Sequence, residues 1–295
     1  MKEQEIKEYE KAGKIASETV KYAKSLIKPG ILLVEIAEKI ESKILELGGK
    51  LAFPVNLSIN EIAAHYSPTL NDKTPASGLL KVDIGVQING FIADTAFSLD
   101  LTPDNQFKNL ILASEKALEQ ALNIAKQGTQ LNKIGEQIHK IITDSGFSPV
   151  RNLSGHQLGK YLVHAGATIP NYDNGNENTL EQEAYAIEPF ATTGVGIVKD
   201  GATSGIYKFE RSGGIRDPVA RKILEFIEEN FQTLPFSQRI IEKQFGSRAL
   251  LSLKFLEQAG ILYQYPQLVE KSNSPVSQAE HTLIILKDKT IITTK

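Results

Sequence analysis

Two stretches of this chain say nearly the same thing. "ASETVKYAKSLIKPG" from Ala16 is echoed by "ASEKALEQALNIAKQG" from Ala113, "VEIAEKIESKI" from Val34 by "LNKIGEQIHKI" from Leu131, and "PVNLS" from Pro54 by "PVRNLS" from Pro149. The offset holds near one value: Ser114 minus Ser17 is 97, and Asn152 minus Asn56 is 96. A fixed period maintained from Ala16 to Ser58 marks a duplicated structural unit. Each copy opens with two helices. Ile6, Tyr9, Ile15, Val20, Ala23 and Ile27 recur at helical spacing until Lys28-Pro29-Gly30 stops the run, and a second helix over about Leu32 to Leu47 ends at Gly48-Gly49. Strand-like segments follow in each half. The expectation is an α+β domain with a pseudo-twofold axis, equivalent strands side by side, helices outside and a polar site between the halves.

The first half contains "KVDIGVQINGFIAD", Lys81 to Asp94. Asn-Gly between Val- and Ile-rich bands is the strongest short-range signal for a two-residue hairpin turn. With Asn89-Gly90 as the loop, Ile88 pairs with Phe91, Val86 with Ala93, Gly85 with Asp94 and Asp83 with Ala96. Asp83 and Asp94 then share one face as diagonal neighbours roughly 7–8 Å apart. Two ionised carboxylates on a half-buried sheet repel unless something positive lies between them, so a cation is the natural third party. Glu188 in "AYAIEPF" and Glu280 in "QAEHTLIIL" are two more acids in apolar strand contexts. Singly, each reads as an edge position or a structural ion pair; together the four read as oxygen donors for a hard divalent ion, to which an imidazole can be added.

Of five histidines, His156 follows a glycine in a turn-like segment, while His65 and His164 occupy corresponding places in the two copies (164 minus 65 is 99) and should face each other across the axis. His139 reads as a helix-surface residue, and His281 alternates away from Glu280. "TGVGIVKDG" is glycine-rich without matching a nucleotide-binding pattern and reads as a turn.

A net charge of −2 supplies no field for nucleic acid, and the absence of cysteine excludes a disulfide or thiol nucleophile. No apolar run approaches the length needed to span a bilayer, and the charged, helical start is unlike a signal peptide, so a cytoplasmic protein without a membrane partner is expected. Beyond Val195 the echo stops. "VARKILEFIEENF", "PFSQRIIEKQF" and "SRALLSLKFLEQAG" read as three short amphipathic helices before the ribbon "ILYQY", a winged-helix-like arrangement without the basic stripe of a DNA reader. "AEHTLIILKDKTIITT" returns to β pattern, with a turn at Lys287 to Lys289, and should rejoin the main sheet. The implied division is 1–194 and 273–295 for the main domain, with 195–272 inserted.

"AFPVNLSINEIAAHYSP", "KVDIGVQINGFIADTAF", "NLSGHQLGKYLVHAG", "AIEPFATTGVG" and "AEHTLII", in this order, resemble the methionine aminopeptidases, in the type 2 form of archaea. That resemblance implies the pita-bread fold and removal of N-terminal methionine from nascent chains and peptides whose second residue is small. It implies two divalent ions, Co, Mn, Fe or Zn, held by Asp83, Asp94, His156, Glu188 and Glu280, with Asp94 and Glu280 bridging. Glu188 becomes the proton shuttle, and His65 and His164 contact the scissile peptide. Phe53, His65, Val163 and Phe190 line the methionine pocket, beside His164. Gln87, and the lack of a glycine in "LEQEAYAIE", depart mildly from the family. Two alternatives remain: an X-Pro aminopeptidase or prolidase of the same fold, against which the insertion and "AAHYSP" argue, and a non-enzymatic relative binding RNA or ribosomes. A monomer is expected, with the ribosome as the place where it meets nascent chains.

Overall fold

A computed structural model describes residues Met1–Lys295. Its first four long helices are α1 (Glu3–Leu26), α2 (Leu33–Glu46), α3 (Lys108–Ile124) and α4 (Leu131–Asp144). The duplication is structural: α4 starts 98 residues after α2 (131 minus 33) and ends 98 after it (144 minus 46). The short strands that follow, Lys50–Leu51 and Ser148–Pro149, keep the same spacing (148 minus 50). Each pair of helices covers its own sheet through an apolar cluster of 20 buried residues, one joining Ala12, Ile36 and Ile40 to Val82 and Ile84, the other joining Ala117, Ile134 and Ile138 to Ile187 and Leu283. Equal cores on either side of a shared middle are what burying one apolar face per copy requires.

In the first half, strands Leu79–Ile88 and Phe91–Asp100 form the hairpin in the register expected from sequence, with Ile88 opposite Phe91, Gly85 opposite Asp94 and Asp83 opposite Ala96. Asn89 and Gly90 both have positive φ, 52° and 90°, the backbone that a tight primed turn demands and that Asn and Gly tolerate best. In the second half, Ser154–Leu158, Ala184–Ile187 and His281–Ile285 lie side by side, and Thr290–Ile292 closes the edge beyond the turn near Lys287. His156 therefore sits mid-strand and not in a turn.

The halves meet along a seam between Phe91–Asp100 and the closing segment. Glu280 donates its backbone N–H to the Ala96 carbonyl at 2.9 Å, and the Thr95 hydroxyl donates to the Glu280 carbonyl at 2.8 Å. The Thr282 hydroxyl accepts from the Asp94 N–H and donates to the Asp94 carbonyl, both at 2.8 Å. These bonds fix the backbones of Asp94 and Glu280 next to each other.

Helices α5 (Pro218–Phe231), α6 (Gln238–Phe245) and α7 (Ala249–Gln258) fall where the apolar periodicity put them and surround a cluster of 12 buried residues of their own. Flanking them are two long antiparallel strands, Val198–Phe209 and Leu262–Glu270, in place of a short ribbon. Register shifts between Asp200 and Thr203 and between Thr203 and Tyr207 break the alternation that would have advertised them. Leu262–Glu270 pairs with Ile62–Ala64 of the first half, bringing this segment against the middle of the molecule. A buried ion pair reinforces that junction: Arg239 of α6, 1% exposed, meets Glu41 of α2 at 2.5 Å and also donates to the Pro68 carbonyl. Glu41 accepts in addition from the Val55 N–H at 3.3 Å, so the pair has the extra hydrogen bonds that a desolvated charge requires.

Candidate active site

The hairpin register sends Asp83 and Asp94 to one face, the strand Ser154–Leu158 contributes His156, Glu188 follows directly on Ala184–Ile187, and Glu280 precedes His281–Ile285. All five line one cavity of about 360 Å³, and Phe53, His65, Val163, His164 and Phe190 line it too. Ligand-capable atoms of Asp94, His156 and Glu280 lie within 4.8 Å of one another. His156 Nε2 stands 3.7 Å from Asp94 Oδ2 and 3.6 Å from Glu188 Oε1. Gln278 reaches into the same group, its Nε2 donating to Glu188 Oε2 at 3.3 Å and to Glu280 Oε2 at 3.5 Å.

Electrostatically the cluster is unfavourable on its own. Burial pushes Asp83 up to about 7, against a hydrogen bond with Asp94 that lowers it. Asp94, Glu188 and Glu280 are raised well above the ordinary carboxylate range, first by burial and then by one another and Asp83. His156 is pushed down to about 3, by burial first and then by His164, so it presents a neutral imidazole. Asp83 Oδ1 and Asp94 Oδ1 are buried without a hydrogen-bond partner. Four enclosed carboxyls, one imidazole and unpaired oxygens form the oxygen-rich donor set that suits a divalent cation, and the residues fit such an ion.

His65 and His164 stand beside this group. His65 has φ of 64°, a left-handed conformation that is uncommon for non-glycine residues. Its Nδ1 lies 3.3 Å from the Pro266 carbonyl and its ring meets Tyr265 edge-on at 5.4 Å. Burial lowers its pKa to about 4, with the neighbouring His164 adding to the effect. The His164 ring packs edge-on against His156 at 4.3 Å, while the residue opens to solvent at the cavity mouth. Neither belongs to the close Asp94, His156 and Glu280 group. His139 lies half-buried on α4, less exposed than expected, and His281 turns away to bond Thr294 Oγ1 at 2.8 Å.

Phe53 lies against the hairpin because residue 85 is glycine: a Cβ there would fall 2.3 Å from the Phe53 ring. Gly85→Ala should therefore cost about 2 kcal/mol of stability, within the overpacking range, and raise KM more than it lowers kcat. Denaturant unfolding and steady-state kinetics check this; unchanged stability and KM would mean that the Phe53 ring moves aside freely.

Sequence reading missed part of the wall. Ile206, Pro235, Tyr265 and Leu268 line the cavity from the segment after the second copy. Gln278 was detectable, being two residues before Glu280 and in alternation with it; Tyr265 and Leu268 carried no comparable signal, since the register irregularities hide which face they share.

Residues 7–217 match metallopeptidase family M24. Over 297 residues the chain is 45% identical to a methionine aminopeptidase of Methanocaldococcus jannaschii, covering 99% of this chain and 100% of that one. The chain belongs to the methionine aminopeptidases of family M24. A methionine aminopeptidase of Pyrococcus horikoshii is 44% identical across 96% of this chain and 97% of its own, and one of Saccharolobus solfataricus 39% identical across 100% and 99%. These archaeal relatives agree with the resemblance seen in the motifs. Solved structures bear out the pita-bread fold: a thermophilic Arx1 superposes with TM-score 0.86 at 19% identity, covering 99% of this chain and 91% of that one. A methionine aminopeptidase from Thermotoga maritima gives 0.72 at 21% identity, with 100% and 98% covered. At those identities the likeness is one of fold.

Proposed function

We propose that the protein removes the N-terminal methionine from peptides and nascent chains whose second residue is small, with two divalent ions held by Asp83, Asp94, His156, Glu188 and Glu280. Asp94 and Glu280, whose backbones are tied together across the seam and whose ligand atoms lie within 4.8 Å of each other and of His156, would stand at the centre of that donor set. When bound, the ions polarise the scissile carbonyl and make water nucleophilic at neutral pH. The chain's own groups do the rest. Phe53, Val163, Phe190 and His65 enclose the methionine side chain, and burial of that apolar chain is the main source of recognition. Glu188 accepts the proton of the attacking water and passes it to the leaving amine. His164 holds the scissile peptide and stabilises charge developing on its oxygen, and His65, neutral with its Nδ1–H directed to the Pro266 carbonyl, contacts the same peptide through Nε2 as an acceptor. The donor set suits Co, Mn, Fe or Zn. The protein acts as a monomer in the cytoplasm, meets its substrates at the ribosome, and carries 195–272 as an insertion between the parts of the catalytic domain. No helix of the protein is long and apolar enough to cross a membrane.

The observation that carries this reading is the convergence of all five donors, both non-donor histidines and the apolar wall on a single cavity. The test compares Met-Ala-Ser, Met-Lys-Ser and an X-Pro dipeptide with metal-loaded protein. Methionine should leave Met-Ala-Ser at least about tenfold more efficiently than Met-Lys-Ser, since placing a long cationic side chain in a narrow wall costs more than about 1.4 kcal/mol. Cleavage of the X-Pro dipeptide and not of Met-Ala-Ser would make the protein a prolidase-type enzyme. Absence of any methionine release, together with ribosome binding, would favour the non-enzymatic reading.

A further inference from the structure

One cation at the cavity rim has no part in the scheme above. Lys208 lies on the strand Val198–Phe209, two residues beyond Ile206, which lines the cavity. Side chains two apart on a strand share a face, so Lys208 continues that wall outward. Its Nζ lies 5.9 Å from the ring centre of Tyr265, another wall residue, and 5.5 Å from that of the exposed Tyr263. The Lys208 side chain is 33% exposed and pairs at 2.6 Å with Glu210, itself 42% exposed. An exposed pair of this kind holds together by only about 0.2–1 kcal/mol, so a competing carboxylate can take the place of Glu210.

We propose that Lys208 is a specificity-determining residue that favours substrates bearing a carboxylate just beyond the small second residue, either an acidic third side chain or the free C-terminus of a tripeptide. This rests on the aminopeptidase reading, in which the methionine occupies the apolar end and the peptide leaves past His164. An extended chain advances roughly 3.3–3.6 Å per residue, so the third residue is the one that emerges beside the shelf of Lys208, Tyr263 and Tyr265.

The experiment uses the full-length, metal-loaded protein with four substrates: Met-Ala-Glu, Met-Ala-Gln and Met-Ala-Lys as C-terminal amides, and Met-Ala-Gln as the free acid. The Glu amide and the Gln free acid should each exceed the Gln amide in kcat/KM by about three- to fivefold at low salt, the scale of one exposed ion pair, with the gain mainly in KM and shrinking as salt is raised. The Lys amide should be the poorest of the four. A gain limited to one of the two carboxylates assigns the contact to side chain or terminus. In Lys208→Gln the acid-to-neutral ratio should fall to about one, and in Glu210→Gln it should rise. Equal kcat/KM for all four substrates, or a ratio that survives Lys208→Gln, overturns the role of Lys208 and leaves the aminopeptidase reading standing. Methionine release from none of the four overturns both.

Discussion

Asp94→Asn should lose methionine release and bound metal together. The residue is 3% exposed, one carboxylate oxygen faces His156 Nε2 at 3.7 Å, and the other is buried without a partner. Replacement by Asn keeps the shape and leaves the backbone bonds to Thr282 in place, so the seam should survive while one negative charge leaves the donor set. A residue behind a ligand typically changes metal affinity by about 10–100-fold; Asp94, proposed as a direct donor, should exceed that, with turnover down by at least about 10³. Unfolding is excluded by sign. A carboxyl whose pKa is raised on folding contributes stability at low pH and loses it as pH rises toward the folded value, so at neutral pH the metal-free wild type carries the strain of this buried acid. Metal-free Asp94→Asn should then melt no lower than metal-free wild type. Elemental analysis, steady-state kinetics and a melting curve settle the matter; full occupancy with near-normal turnover would remove Asp94 from the donor set.

Why so much of the middle of this molecule was readable lies in the strictness of the hairpin. Asn89-Gly90 admits essentially one loop, and a period of two then forces Asp83 and Asp94 onto one face, so register and site came from the same few residues. The repeat gave the α1/α2 and α3/α4 correspondence because both copies bury the same helical face against a sheet. Glu188 and Glu280 stood out because, taken with the two aspartates, they are acids set in apolar strand contexts; resemblance was needed to choose His156 among the histidines and to assign the separate roles. What stayed hidden is non-local. Tyr265 and Leu268 reach the cavity because Leu262–Glu270 pairs with Ile62–Ala64, a contact over about two hundred residues that no local period encodes. The Arg239–Glu41 pair is similar: both residues sit in amphipathic helices and look like solvent-facing charges until the helices are packed together.

Removing the imidazole of His65 or of His164 should slow turnover by about 10²–10³, roughly 2.7–4 kcal/mol, and leave metal content unchanged, the scale of losing one preorganised hydrogen bond to the reacting peptide. The substitutions must differ. At His164 alanine suffices, because the backbone there is ordinary. At His65 the φ of 64° would strain alanine, so glycine is the cleaner choice: it accepts that backbone while removing the ring with its Cβ. A non-glycine residue held in this region commonly costs on the order of 1–3 kcal/mol and survives where the surroundings over-determine it, here by the Pro266 carbonyl at 3.3 Å and the edge of Tyr265. His65→Gly should therefore leave the melting temperature nearly unchanged, since relief of strain offsets the lost contacts, while kcat collapses. Geometry separates this pair from His156, whose Nε2 faces two carboxylates at 3.7 and 3.6 Å, whereas His164 meets His156 ring to ring. Metal titration by calorimetry on both variants decides the roles: if His164→Ala loses an ion, that histidine is a ligand, and if His65→Gly keeps wild-type turnover, its unusual backbone serves the fold and not the reaction.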